Sequence, residues 1–274
     1  MKISTIIITL NEEEHVDRCL ESIRGLADEV VVVDCGSQDK TCEVVVSLGA
    51  RLFRRAWTNY SDQKNFAAAQ ASHDWILSLD ADECLSPSLR QELLRVKANP
   101  SEPIAYEFPR RALYLGRWIR HCGWYPDYKV RLYRRERGRW EGSFVHEHLT
   151  CEGLVGRLQS ELLHYTCDSI SEHACRVERY TTLAAQDLRS RGKRTGPLRI
   201  FGSPIVAFFA SYFLKSGFLD GLHGFLISVF SAYYNFLKYS KLWDLQRSMF
   251  AGKSSIGERS PRLGRVSKEL KDKN

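Results

Sequence analysis

The 274-residue sequence contains no CxxC pair. Its eight cysteines, Cys19, Cys35, Cys42, Cys84, Cys122, Cys151, Cys167 and Cys175, are spread too widely for a compact disulfide framework. Reduced thiols in a cytosolic compartment are the expectation. The chain opens on a strand-like run, Lys2 to Ile8, and lacks the apolar stretch and small-residue cleavage site of a signal peptide. The bulk of the protein is therefore expected on the cytoplasmic side. No uncharged run reaches the roughly 18–20 residues needed to cross a bilayer. There is no internal repeat, no RNA-binding signature and no HExxH motif.

What is present bounds the class. Hydrophobic residues make up 43% and charged residues 27%, which excludes a disordered or fibrous chain and allows one substantial core with a small appendage. Lys and Arg number 40 against 33 Asp and Glu, a formal net charge of +7. That balance suits anionic partners such as phosphates, nucleic acid or an acidic membrane surface.

From Lys2 to Asn99, short apolar runs alternate with helical segments. Ile3 to Thr9 is β-branched and reads as a buried strand. Asn11 is placed to cap a helix with Glu12, Glu13 and Glu14 in its first turn and Val16, Leu20 and Ile23 on one face. Strands follow at Val30–Val33, Arg51–Phe53 and Trp75–Leu79, with helices at Thr41–Leu48 and Asp62–Ala71 between them. This alternation predicts a parallel, doubly wound α/β sheet with ligands beyond the carboxyl ends of its strands. Thr9, Asn11, Asp34, Asp80 and Asp82 all fall there.

The texture changes from Ile104 to Thr166, where tryptophans and tyrosines interleave with arginines. We expect further strands and loops that build a second side of the site; single-stranded nucleic-acid binding is the alternative. The last third holds two uncharged, aromatic-rich runs, Ile200–Leu214 and Gly221–Leu237, flanked by basic residues such as Arg189, Arg191, Lys193, Arg194, Lys238 and Lys241. Short apolar helices with basic edges predict an interfacial membrane contact; a buried or dimeric hairpin is the alternative. The tail from Gly252 is polar, basic and expected to be disordered. The resulting division is 1–99, 100–170, a helical membrane-associating region over 171–250, and a tail over 251–274.

Two motifs carry chemistry. In Trp75-Ile-Leu-Ser-Leu-Asp80-Ala81-Asp82-Glu83, a hydrophobic strand delivers two carboxylates, one residue apart, to its carboxyl end. Such oxygens suit Mg²⁺ or Mn²⁺ shared with a diphosphate, and the ion then offsets charge on a departing phosphate. In Val30–Thr41, a strand and a tight turn at Gly36 place Asp34 at the sheet edge, where it can accept from a base or ribose. Ser37 and Asp39 there read as ordinary turn and cap residues.

Together, Ser4–Glu12, the Asp34-Cys35-Gly36-Ser37 turn and Asp80-Ala81-Asp82-Glu83 resemble glycosyltransferase family 2 in order and spacing. Gln63-Lys64-Asn65, Gly123–Asp127, Val145-His146-Glu147, His164-Tyr165 and Gly217–Gly221 resemble its bacterial lipopolysaccharide core β-glucosyltransferase subgroup. Roughly residues 1 to 245 are covered. The resemblance implies a GT-A fold, inversion and a nucleotide-sugar donor, commonly UDP-linked. It puts Thr9, Asn11, Glu12, Asp34 and Asp80 on the donor side. The sequence departs from the pattern at Cys35, where many members have a second acid.

Inversion needs a base to take the proton of the attacking hydroxyl. Glu147 is the first candidate and Asp127, after Pro126, the second; a salt bridge to a nearby arginine is the competing role for each. His164 is a candidate nitrogen ligand beside Asp82. Lys64 and Arg131 are candidates to neutralise donor phosphates. The expected function is transfer of a hexose, glucose foremost, to a heptose of the lipopolysaccharide inner core, at the cytoplasmic face of the inner membrane. Transfer to polyprenyl phosphate, a hydrolase using His146, His148 and His164, and a non-catalytic membrane-binding protein are the alternatives.

Overall fold

The computed structural model describes residues 1–100, 102–142 and 147–253, with side chains through Arg247. His146 and residues 254–274, most of the expected tail, lie outside the described residues. The first part of the chain runs β1 (Ile3–Thr9), α1 (Val16–Ser22), β2 (Glu29–Asp34), α2 (Thr41–Ser47), β3 (Arg51–Arg54), α3 (Tyr60–Gln70), β4 (Trp75–Asp80), β5 (Glu83–Leu85) and α4 (Pro87–Ala98). Strands then dominate: β6 (Ala105–Tyr114), β7 (Arg117–Trp118), β8 (Asp127–Arg134), β9 (Gly138–Glu141), β10 (His148–Cys151), β11 (Val155–Arg157) and β12 (Leu162–Cys167). Three helices complete it: α5 (Ile170–Ser190), α6 (Pro197–Phe209) and α7 (Gly221–Lys253).

The main sheet has the order β3-β2-β1-β4-β8-β6-β12-β5. Its first four strands are parallel, as the alternation predicts. Beyond them lie the further strands expected from the second segment, and they make the sheet mixed: β8 is antiparallel to both β4 and β6, and β5 is antiparallel to β12. The reason lies in the connections. A parallel neighbour needs a long crossover, and the connection from β6 to β8 through residues 115–126 carries no such crossover, so those two strands pair antiparallel.

Side chains alternate across the parallel strands, so each face packs separately. Ile3, Ile7, Val32, Leu77 and Leu79 pack with Leu20, Ile23, Leu89 and Leu93 on one face. Ile6, Ile8, Val31, Val33 and Ile76 meet Ala67 and Ala71 on the other. Each such aliphatic side chain contributes about 1.5–3 kcal/mol by burial.

Two expected helix starts shift. Asn11 does not cap α1: it has a positive φ of 54°, and the helix begins only at Val16, so Glu12, Glu13 and Glu14 precede it. Asn11 instead accepts from the Gln38 amide at 2.8 Å and donates its own to Ser37 Oγ at 2.9 Å, which pins the β1 exit to the β2–α2 turn. Helix α3 starts at Tyr60, capped by Asn59, whose side chain accepts from Asp62 N at 2.9 Å.

The C-terminal helices are longer than the uncharged runs suggest. Helix α6 continues through a π-turn at Ala210–Leu214, giving an 18-residue, predominantly apolar segment from Pro197 to Leu214 with Arg199 near its start, of which 6% is buried. That reaches the lower length limit for crossing a bilayer, which the run counted from Ile200 did not. Helix α7 spans 33 residues, continuing past Leu237 through the basic flank. The hairpin is anchored through Asp220, which accepts the amides of Arg120 and His121 at 3.2 and 2.8 Å. Helix α5 bridges hairpin and sheet: His173 stacks on Phe230 at 3.9 Å and meets Tyr114 Oη at 2.9 Å, while Lys241 reaches Glu178 at 2.6 Å.

Candidate active site

A cavity of about 460 Å³ opens beyond the carboxyl ends of β1 and β4, where a doubly wound sheet places its ligands. Thr9, Glu12, Cys35, Asp80, Asp82, Glu147 and His164 line it, together with Trp57, Tyr60 and Arg110. Helix α5 supplies Arg176, Arg179 and Tyr180.

The two carboxylates of the Asp80-Ala81-Asp82 motif have different surroundings. Asp80 at the end of β4 accepts from Lys64 Nζ at 2.8 Å and from Arg131 at 2.6 Å. Burial opposes its ionisation, but Arg131 and then Lys64 hold its carboxyl well below the usual range. Glu83 is fully buried and closes the motif: it accepts from the Asp80 amide at 3.0 Å, from Arg131 at 2.6 Å and from Arg110 at 3.2 Å. Among the described residues Asp82 meets the side chain of His164, whose Nε2 lies at 3.1 Å. Burial again raises and His164 lowers, leaving its pKa below the ordinary value.

Sheet register brings that last pair together. β12 pairs with β5 so that His164 lies opposite Glu83, and the Tyr165 amide donates to Asp82 O at 2.9 Å. Eighty-two residues of sequence separation are closed by two strand pairings.

Lys64 and Arg131, expected to face donor phosphates, are 2% and 3% exposed and committed to carboxylates. Lys64 also lies 4.4 Å over the Trp140 ring and 3.8 Å from Glu147. Asp34 is buried, and its carboxylate accepts from the amides of Gly36 and Ser37 at 2.9 and 3.0 Å, from the Ser37 hydroxyl, and from Thr9 Oγ1 at 3.1 Å. It organises the turn, and its neighbour Cys35 faces the cavity. Asp39 accepts from the Thr41 amide at 3.0 Å, a turn contact just ahead of α2, whose N-cap position is held by Lys40.

The two candidate bases separate. Asp127 is bound by Arg110 at 2.8 Å and Lys129 at 3.0 Å; against burial, these cations lower its pKa, Arg110 foremost. Glu147 lines the cavity and has Lys64 as a distant partner. Glu12 behaves oppositely to Asp80: burial first, then the Asp82 charge, push its carboxyl up to about 7.

Sequence reasoning assigned no role to Glu83 or Arg110, or to the α5 group. Arg176, Arg179 and Tyr180 stand at i, i+3 and i+4, a shared helix face that was readable. Which face would meet the site depended on the packing of α5.

A divalent ion fits Asp82 and His164. Neighbouring ligands of an octahedral ion with bonds near 2.1 Å lie roughly 3 Å apart, and these atoms are 3.1 Å apart. Among the described residues no group of three His, Cys, Asp or Glu gathers to hold a metal without substrate. Oxygens of a bound diphosphate and water would complete the shell, the habit of Mg²⁺ and Mn²⁺.

Mixed sheet, strand-end carboxylates and cavity together are those of a GT-A-like α/β fold. The chain belongs to glycosyl transferase family 2, whose sequence model matches residues 4–155. It is 33% identical over 256 residues to the lipopolysaccharide core biosynthesis glycosyltransferase LpsC of Rhizobium meliloti, covering 89% of this chain and 93% of that protein. An uncharacterized glycosyltransferase of Rickettsia bellii is 31% identical over 255 residues, covering 89% and 87%. Among solved structures, glucosyl-3-phosphoglycerate synthase of Mycobacterium tuberculosis with Mn²⁺, UDP and glucosyl-3-phosphoglycerate gives a TM-score of 0.45 at 16% identity, covering 71% and 81%. The protein is thus an enzyme, a glycosyltransferase.

Proposed function

We propose that the enzyme transfers a hexose, glucose foremost, with inversion from a UDP-linked donor to a heptose of the lipopolysaccharide inner core, working at the cytoplasmic face of the inner membrane. The observation that carries this reading is the single cavity in which the Asp82–His164 pair and the Glu147 carboxylate both face inward. The name of the Rhizobium relative supports the acceptor. The bare apolar hairpin supports work at a lipid surface, through the region from 171 to 250.

In this reading Glu147 accepts the proton of the acceptor hydroxyl as its oxygen bonds to the anomeric carbon. The bond from that carbon to the diphosphate breaks, and the leaving nucleotide keeps the electron pair. A divalent cation held by Asp82 and His164 would offset the charge on that leaving group. Thr9, Asn11, Glu12 and the Asp34 turn shape the donor side. Lys64, Arg131 and Glu83 hold Asp80 in place, so their role is positioning. Asp127 is neutralised by Arg110 and Lys129, which makes it the poorer base.

The test is a panel of nucleotide sugars, with and without Mn²⁺, on wild type and Asp82→Asn. Metal-dependent turnover of one donor, lost in the variant, supports the reading and names the sugar. Failure to bind any donor overturns it.

A second reading has one observation in its favour. The 18-residue apolar helix Pro197–Leu214 has the length of a membrane span, which suits a polyprenyl phosphate acceptor. Transfer to polyprenyl phosphate but not to core oligosaccharide would select it.

A further inference from the structure

Beside the catalytic cavity lies a second, more open groove of about 770 Å³, between α5, the Trp57–Tyr60 corner and α7. The groove and the cavity share Trp57, Tyr60 and Arg179 in their walls, so they adjoin. We propose that this groove binds the glycan of the acceptor and delivers its reacting hydroxyl to Glu147. This assignment rests on the transferase reading above and adds a site to it.

The chemistry of the walls suits a sugar chain. Trp57 is 38% exposed and meets Tyr60 edge-on, with ring centroids 4.7 Å apart. Tyr233 of α7, 43% exposed, closes the other side. Apolar aromatic faces of this kind cover the C–H faces of pyranose rings, while a few polar groups fix orientation. Glu178, Thr182 and Gln186, one turn apart along α5, line the groove; Lys241 already holds Glu178 and Thr182 at 2.6 and 2.8 Å, which fixes their orientation, and Gln186 adds an amide. The volume falls in the range of about 300–1,000 Å³ typical of small-ligand pockets.

Both ends of the groove lead where an acceptor would need to go. At the inner end Tyr60 and Arg179 line the catalytic cavity together with Tyr180 and Glu147, which places this corner beside the candidate base. At the outer end Tyr233 belongs to the helix that also exposes Phe225, Val229 and Phe236. A glycan whose lipid end rests in a membrane under that helix would follow α5 inward. The donor takes the opposite wall, where Thr9 and Cys35 lie.

Cys175 gives a direct probe, because it lines the groove and is the exposed member of the eight free cysteines. Heptose-terminated inner-core oligosaccharide, freed of lipid, is added to the full chain, and Cys175 alkylation by iodoacetamide is followed by peptide mass. Saturating oligosaccharide is expected to slow labelling by about fivefold or more, and UDP to leave it unchanged. Two variants report independently. Ala174→Trp, which fills the groove, and Tyr233→Ala, which removes a wall, are each expected to raise the KM for the oligosaccharide about tenfold. Hydrolysis of donor by water is expected to stay at the wild-type rate in both, which also shows that they fold. Unprotected Cys175, or an unchanged acceptor KM in both variants, overturns the groove. A wild-type enzyme that binds no nucleotide sugar, yet shows Cys175 protection, overturns the donor reading and leaves the groove standing.

Discussion

The α/β half and the helical hairpin solve opposite problems. Around Asp80 the chain buries charge and satisfies it internally: Lys64, Arg110 and Arg131 meet Asp80, Glu83 and Asp127 within 3.2 Å. Along α6 and α7 it leaves apolar surface uncovered, with Leu198 92%, Phe201 68% and Val206 67% exposed. A buried ion network is self-contained but intolerant of losing any one member. A bare apolar face holds little folding energy and is costly in water until something covers it. The proposed chemistry thus sits on the region that cannot adjust, and the proposed attachment on the region with uncovered apolar surface.

The largest expected effect separates the two candidate bases inside the first region. Glu147→Gln is expected to lower kcat by about 10²–10⁴, the usual contribution of a general base, with donor KM nearly unchanged. Asp127→Asn, whose carboxylate is already tied to Arg110 and Lys129, is expected to lose about tenfold or less. Steady-state kinetics on both variants decide it, and the reverse ranking would transfer the base to Asp127.

Next comes stability. Arg131→Met removes the shared partner of Asp80 and Glu83, leaving the fully buried Glu83 with only the longer contact to Arg110 at 3.2 Å. Breaking such a pair costs about 3–5 kcal/mol, read from urea unfolding. A loss below about 1 kcal/mol would show that water enters and screens the site.

Acid should weaken the same half through Glu29. Burial opposes its ionisation, but the hydroxyl of Ser4, the amide and hydroxyl of Ser72, and Arg51 bring its pKa from 4.5 down to about 2. A depressed carboxylate stabilises above its unfolded pKa and loses that contribution as pH falls through the folded one. Wild type is therefore expected to lose roughly 3 kcal/mol between pH 4.5 and 2 from this group alone. Glu29→Gln should be less stable than wild type at pH 6, with the gap shrinking toward pH 2. A constant gap would remove the linkage.

How much of this was legible depends on range. The parallel strands, the paired carboxylates at the end of β4 and the Asp34 turn lie within short windows whose pattern states their structure. The pairing of Asp82 with His164 was legible only as a candidate, because it is made by two strand pairings far apart in sequence. The fate of Lys64 and Arg131 was not legible. A lysine or arginine near a phosphate site reads the same whether it faces the ligand or buttresses a carboxylate, and only packing against Trp140 distinguishes the two. The mixed half of the sheet was hidden for a related reason, since antiparallel partners are chosen by turns and not by the strands' own composition.

The smallest expected effect on folding, and the one that sharpens the contrast most, lies in the hairpin. Phe201→Ser with Val206→Ser alters side chains about two-thirds exposed, so unfolding free energy is expected to move by less than about 0.5 kcal/mol. Binding to vesicles containing anionic lipid should fall much further. Each apolar side chain withdrawn from a membrane forfeits about 1.5–3 kcal/mol, roughly ten- to hundredfold in partitioning. Raising salt should weaken what remains, because Arg189, Arg191, Lys193 and Arg194 precede the helix, Arg199 lies in its first turn, and their attraction to anionic headgroups is screened within about 10 Å at 0.1 M. Co-sedimentation with vesicles measures both. If vesicle binding is unchanged and the pair instead shifts the protein from dimer to monomer, the apolar face is covered by a second copy and the enzyme meets its acceptor without entering the membrane surface.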